Sequence, residues 1–343
     1  MKIARQYLKE TQKFISYIEK KNKKKFIQDF KEASSFMENF IPVAQAKSVE
    51  IISLMDKQPI EIKKFSGKIN FLKSGSKVAY LGPEGTFSNQ AAINIFSRDS
   101  SWIVAPTIAK VFEIIDNRDA DFGVVPIENS TEGLVQETLD NLIKYPLRIV
   151  GSYNLPIHLC LLGRTNDLSK IKVIKSHAQP IAQSRNWLSK NFPNAKLEAE
   201  SSSVKAILST EDEEVAFIAS SAAAKKYGLK LLVENIEDKK INTTQFYVLA
   251  KKEVPDISKV LKADKTIVIL AVYDRCGVLR DILDCFANKR LSLSKLYSRR
   301  SDADGWGYYF FLEVESLPES ADLTEALKEV KRYCSIVRVL GRA

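Results

Sequence analysis

Four short clusters of hydroxyl and amide side chains could do chemistry: Thr86 with Ser88, Asn129 with Ser130 and Thr131, Ser176 with Gln179, and Ser202 with Ser203. Each sits where a short apolar run gives way to an amphipathic one, the place where a strand hands over to a helix. Free N–H groups and a partial positive charge gather at a helix N-terminus, so such junctions hold carboxylates without Arg or Lys. In open α/β sheets the carboxyl ends of the strands border the ligand crevice. For one junction the plainer reading is an N-cap, which favours Ser, Thr and Asn in any helix. Four in one sheet shift the balance toward an anion-binding cleft. A cleft of this kind, poor in His, suits a small dianion and a reaction that needs a proton donor and correct orientation.

Other chemistries find little support. Gly82-Pro83-Glu84-Gly85 lacks both the Walker Lys and the G-x-G-x-x-G order, so it is not a nucleotide loop. The two histidines are His158 and His177, and the cysteines are Cys160, Cys276, Cys285 and Cys334. None forms a C-x-x-C pair or shows zinc spacing, so no metal and no cofactor is expected. The cysteines are expected to be reduced and mostly buried as small apolar residues. His177 is expected to line the cleft and His158 to be a packed structural residue.

The elements that must position these groups follow from the apolar pattern. Strands are expected over 78–81, 122–127, 171–174, 215–218 and 244–250. Helices are expected through Ala91 and Ile95, Leu139 and Leu142, Leu188, Ile207, and over 222–227. Alternation of strand and helix over about 170 residues implies a parallel or mixed sheet with helices on both faces. From Lys265 the order changes to strand, helix, strand, strand, helix, strand, the ferredoxin-like βαββαβ arrangement. The stretch 255–264 reads as the linker between the two. Residues 1–56 read as helical and 57–76 as a linker, which divides the chain into 1–76, 77–254 and 265–343.

The 343 residues suit two or three domains, and 45% apolar with 27% charged residues is ordinary for a globular protein. No stretch approaches the ~20 apolar residues of a membrane helix. No signal-peptide pattern is seen, so a cytoplasmic protein is expected, with no membrane partner. The formal charge of +10 is uneven: residues 1–77 hold 17 Lys/Arg against 8 Asp/Glu, and the rest 35 against 34. The basic excess belongs to the N-terminal segment, where a solvated Lys face on a packing or dimerisation element explains it. No motif or aromatic platform supports a nucleic-acid partner.

The junctions, in this order, resemble prephenate dehydratase. The matching stretches are Ala79–Ser88, Gly123–Gly133, Leu155–His158, Ser176-His177 and Asn242–Phe246, which together cover residues 78–250. Residues 265–343 resemble the ACT regulatory domain that follows in this family. The resemblance implies an α/β, two-lobed, periplasmic-binding-protein-like catalytic domain. It implies a lyase that converts prephenate to phenylpyruvate in phenylalanine biosynthesis, working as a homodimer or homotetramer. It implies Thr244 as the catalytic hydroxyl, with Asn129, Ser176 and Gln183 orienting the substrate. Thr86, Ser88, Ser130, Thr131, His177, Ser202 and Gln245 complete the candidate substrate site. For the effector, expected to be phenylalanine, the matching positions are Gly277, Val278, Leu279, Ser298 and Arg299.

Three departures stand out. The family has Thr-Arg-Phe where this chain has Thr244-Gln245-Phe246, and Gln lacks the charged, bidentate fork of Arg. Ala178 replaces a Pro. Tyr297-Ser298-Arg299-Arg300 stands in place of Glu-Ser-Arg-Pro. These keep two further readings in view: an arogenate dehydratase, and a non-catalytic sensor of aromatic amino acids. Residues 1–56 lack the arginines and acids of a chorismate mutase helix, and residues 20–40 weakly resemble the closing helices of prephenate dehydrogenase.

Overall fold

In the computed structural model, residues 75–343 are described, except 98, 240, 273–274 and 301–306. The expectations for the N-terminal helical appendage lie outside the described residues.

Fifteen strands form two sheets among the described residues. The first half of the chain supplies β1 (Lys77–Leu81), β2 (Ser101–Ala105), β3 (Phe122–Asn129), β4 (Gly133–Leu134) and β5 (Arg148–Pro156). Then come β6 (Cys160–Gly163), β7 (Val173–His177), β8 (Lys196–Glu200), β9 (Val215–Ala219), β10 (Lys230–Val233) and β11 (Thr243–Ala250). The C-terminal unit adds β12 (Thr266–Val272), β13 (Leu293–Arg300), β14 (Tyr308–Val314) and β15 (Cys334–Arg342). One sheet has the order β10-β6-β9-β7-β8 and forms the second lobe. The other runs β13-β14-β12-β15-β5-β11-β3-β1-β2, with β4 paired off β3.

Among the described residues ten helices pack on these sheets: α1 (Phe87–Ile95), α2 (Ile108–Asp116), α3 (Gln136–Lys144), α4 (Ala178–Gln183), α5 (Arg185–Asn191), α6 (Ser203–Leu208), α7 (Ser221–Lys226), α8 (Pro255–Val260), α9 (Val278–Ala287) and α10 (Ala321–Val330). The α/β class and the βαββαβ order of the C-terminal unit are as the periodicity predicts. The differences are local. The strand expected over 171–174 lies at Val173–His177, and the helix running to Leu188 breaks at Ser184 into α4 and α5. The stretch read as a linker begins with a helix, because Pro255 is pre-set for the first helical turn and Ser258 anchors it by donating to the Val150 carbonyl.

Strand alternation divides the core. On β3, Phe122 and Val124 face one apolar cluster, shared with the second lobe through Leu159, Leu161, Ile174 and Ile218. Val125 and Ile127 face another, shared with α2, α3 and the C-terminal unit's Ile267, Ile269 and Phe311. The C-terminal unit thus lays one sheet face on the catalytic half and the other on its own helices α9 and α10. At the seam, β15 pairs with β5 through Gly341 and Ile149. Gly341 has φ +139°, and a Cβ there would lie 1.9 Å from the Ile149 carbonyl oxygen, so only glycine lets the strands close.

Candidate active site

The site is built on the ends of two adjacent antiparallel strands. On β11, Thr244 shares a face with Phe246, Val248 and Ala250, the face toward the second lobe. Its direct partner on β3 is Asn129, and Phe246 pairs with Pro126. Two residues lie between Pro126 and Asn129, but only one lies between Thr244 and Phe246. The extra residue on β3 is a bulge near Ile127. An unbroken strand would turn Asn129 to the opposite face from Pro126; the bulge brings it round beside Thr244.

Asn129 is then locked at both ends of its amide. Its Oδ1 accepts from the Thr131 backbone N–H at 2.9 Å, the Glu132 N–H at 3.1 Å and the Thr131 hydroxyl at 2.5 Å. Its Nδ2 donates to Thr244 Oγ1 at 2.8 Å and to Asn242 Oδ1 at 2.9 Å. Because Thr244 accepts this bond, its own proton is available to donate elsewhere. Asn242 Nδ2 donates to Gln183 Oε1 at 3.2 Å, and Gln183 Nε2 donates to Thr131 Oγ1 at 3.0 Å and to Glu132 at 3.2 Å. Gln183 ends α4 of the second lobe, so this network ties the lobes together at the site. Ser130 fastens the strand ends: its Oγ accepts from the Thr243 N–H, and its own N–H donates to the Thr243 carbonyl. Thr244, Asn129 and Asn242 are all buried.

Thr244, Asn129, Ser130, Thr131 and Gln183 therefore come together. Asn242 joins them, a residue just before β11 that composition did not single out but whose i, i+2 spacing from Thr244 would have placed the two side by side. The other candidates make local hydrogen bonds or pack within their helices. The Thr86 hydroxyl caps α1, accepting from the Asn89 N–H while donating to the Pro83 carbonyl, and Ser88 is buried within that helix. Ser202 caps α6, accepting from the Lys205 N–H. His177 caps α4 with Nδ1 accepting from the Gln179 N–H, so the hydrogen-bonded tautomer carries its proton on Nε2. Ser176 is fully buried; its hydroxyl donates to the Ile218 carbonyl and meets Ser203 at 2.9 Å.

Three expectations need correction. Gln245 does not face the site. Consecutive strand residues point to opposite faces, and its Oε1 accepts from Lys295 Nζ of the C-terminal unit at 2.7 Å. His158 is not packed: its side chain is 59% exposed and its Nδ1 lies 3.0 Å from Glu237 Oε1. Arg299 does not accompany Ser298. On β13 they alternate, and Arg299 turns to Asp140 on α3, with two nitrogen–oxygen contacts of 2.8 Å. Ser298 and Val278 do share a cavity of about 280 Å³, with Val272, Tyr308 and Phe310.

Three of the four cysteines are buried and Cys276 is exposed. Burial raises the pKa of Cys160 and Cys285, and pushes the Cys334 thiol up to about 12, where it is inert as a nucleophile. Among the described residues, no three His, Cys, Asp or Glu side chains gather where they could hold a metal ion, and no helix is long and apolar enough to cross a membrane.

Fold and site together define a two-lobed enzyme whose buried hydroxyl is oriented by a chain of amides. The prephenate dehydratase family model matches residues 78–254. A bifunctional chorismate mutase/prephenate dehydratase from Aquifex aeolicus is 37% identical over 271 residues, covering 79% of this chain and 74% of that protein. A prephenate dehydratase from Amycolatopsis methanolica is 32% identical, covering 78% and 88%. The crystal structure of an Arthrobacter aurescens prephenate dehydratase in complex with L-Phe superposes with a TM-score of 0.71 at 30% identity, covering 78% and 89%. The chain belongs to the prephenate dehydratase family.

Proposed function

We propose that the chain converts prephenate to phenylpyruvate with Thr244 as the proton-donating group. The observation that carries this reading is the Asn129-to-Thr244 hydrogen bond. It fixes the Thr244 oxygen as an acceptor and frees its proton for the leaving group. Prephenate loses its ring carboxylate as carbon dioxide. The electron pair of the broken C–C bond enters the ring and expels the ring hydroxyl, which leaves as water on taking a proton. Aromatisation supplies the driving force. A threonine hydroxyl is a weak acid, so donation accompanies C–O cleavage rather than preceding it. A hydrogen-bond donor aimed where charge develops acts most strongly in a buried site. Gln183, Thr131 and Asn242 orient the substrate from the seam between the lobes.

The C-terminal unit acts on this reading as an ACT regulatory domain binding phenylalanine, and the cavity beside Val278 and Ser298 supports a small-ligand role. The protein works in the cytoplasm as a homodimer or homotetramer; β13, the edge strand of its sheet, offers backbone groups for pairing with another copy.

Gln245 and the altered Tyr297-Ser298-Arg299-Arg300 motivate the sensor reading; Gln245 bonds Lys295 of the C-terminal unit, which argues that its departure from the family Arg does not remove a group from the site. The test is phenylpyruvate formation by the purified chain, with and without phenylalanine. Folded protein with no turnover in either condition sinks the proposal, and a higher kcat/KM for arogenate reassigns the substrate.

A further inference from the structure

We propose that Lys295, on β13 of the C-terminal unit, is a positioning residue that holds Thr244 and Asn129 in register from the far face of the sheet. The proposal rests on the dehydratase reading of that pair. Beyond the bulge near Ile127 the β3–β11 ladder has two remaining pairs, Glu128 with Gln245 and Asn129 with Thr244. The second pair is the site; the first lies directly behind it. Lys295 Nζ spans that first pair, 2.5 Å from Glu128 Oε2 and 2.7 Å from Gln245 Oε1. Glu128 is the backbone neighbour of Asn129, and Gln245 of Thr244, so a shift in either is passed to the site residue next to it.

The contact is half-buried, with the Lys295 and Glu128 side chains only 27% and 30% exposed. It is therefore unlike the fully solvated pairs that contribute little. Gln245, being neutral, cannot balance the Glu128 carboxylate. Without the ammonium, Glu128 keeps only neutral partners, Gln245 and the partly buried Tyr297 hydroxyl, which burial and this same carboxylate hold protonated. The pair behind the site would spread, and the Asn129 amide would move off Thr244. Because Lys295 belongs to the C-terminal unit, the brace exists only while that unit is docked on the catalytic half.

The test uses the full chain carrying Lys295→Met, Lys295→Arg, and Lys295→Met with Gln245→Arg. Small misplacement of a catalytic group lowers the rate more than binding. Lys295→Met should lower kcat about tenfold with KM within about twofold. Lys295→Arg should stay near wild type. The double variant should regain most of the lost kcat, since Arg at 245 puts a cation on the ladder opposite Glu128. Circular dichroism establishes that each variant is folded. Wild-type kcat in folded Lys295→Met overturns the proposal, as does a loss that Gln245→Arg leaves unrepaired or one confined to KM. No turnover by the wild-type chain would instead sink the dehydratase reading. The Asn129 side-chain amide signals in NMR then decide the inference: they must shift in Lys295→Met and return in the double variant, and an unchanged spectrum refutes it.

Discussion

Thr244 accepts one hydrogen bond and keeps one to give, and the whole amide chain around it serves that asymmetry. Thr244→Val keeps the shape and removes the donor. It should lower kcat by roughly a thousandfold, within the range for losing a positioned acid or charge-stabilising donor. The melting temperature should fall only modestly, because Val suits a strand and fills the same space but leaves one Asn129 N–H without its acceptor. Steady-state kinetics beside thermal melts check both halves. The resemblance to the family, not the hydroxyl clusters, made Thr244 legible in the sequence. Its partner set was not, because Asn129 and Asn242 lie 113 positions apart in the chain and meet only through β3–β11 pairing.

Several hydroxyls at the strand-to-helix junctions turn out to hold their helices. Ser202 accepts the Lys205 N–H, one of the orphan donors at the start of α6. Ser202→Ala should cost about 1 kcal/mol of stability, seen in denaturant titration, and leave KM for prephenate within about twofold. A large rise in KM would return Ser202 to the substrate site. In the C-terminal unit, burial of Glu313 opposes its ionisation, yet the Lys265 ammonium and the Ser294 hydroxyl outweigh it and hold the carboxyl below its usual range. A depressed folded-state pKa stabilises the protein above the unfolded value and is lost as pH falls through the folded one. Melting temperature should therefore drop on the acid side, and less steeply in Glu313→Gln. Equal slopes would remove Glu313 from the account.

The catalytic half and the C-terminal unit share one ten-stranded sheet, closed at the Gly341–Ile149 contact. Gly341→Ala must push β15 away from the Ile149 carbonyl and abandon a backbone conformation that suits glycine. A loss of about 2 kcal/mol or more is expected, of the size of overpacking in a core. It should appear as a lower melting temperature. Unchanged melting would show that the strands close without this contact. The seam also explains Arg299 and Asp140, which bridge β13 to α3: a side chain matched to an effector site by motif instead joins the two parts of the molecule.

The sequence by itself determined the element types, the α/β class, the βαββαβ order and the hydroxyl-rich strand ends, because these rest on local periodicity and on capping preferences within a few residues. It also holds the strand alternation that separates Thr244 from Gln245 and Ser298 from Arg299. The tertiary structure alone decided which of the hydroxyls gather around Thr244 and which make helix-capping bonds. It turned Asn129 toward Thr244 through one extra residue in β3, and set Lys295 behind them. A bulge is fixed by how two distant strands register against a shared core, and no local pattern in either strand encodes that register.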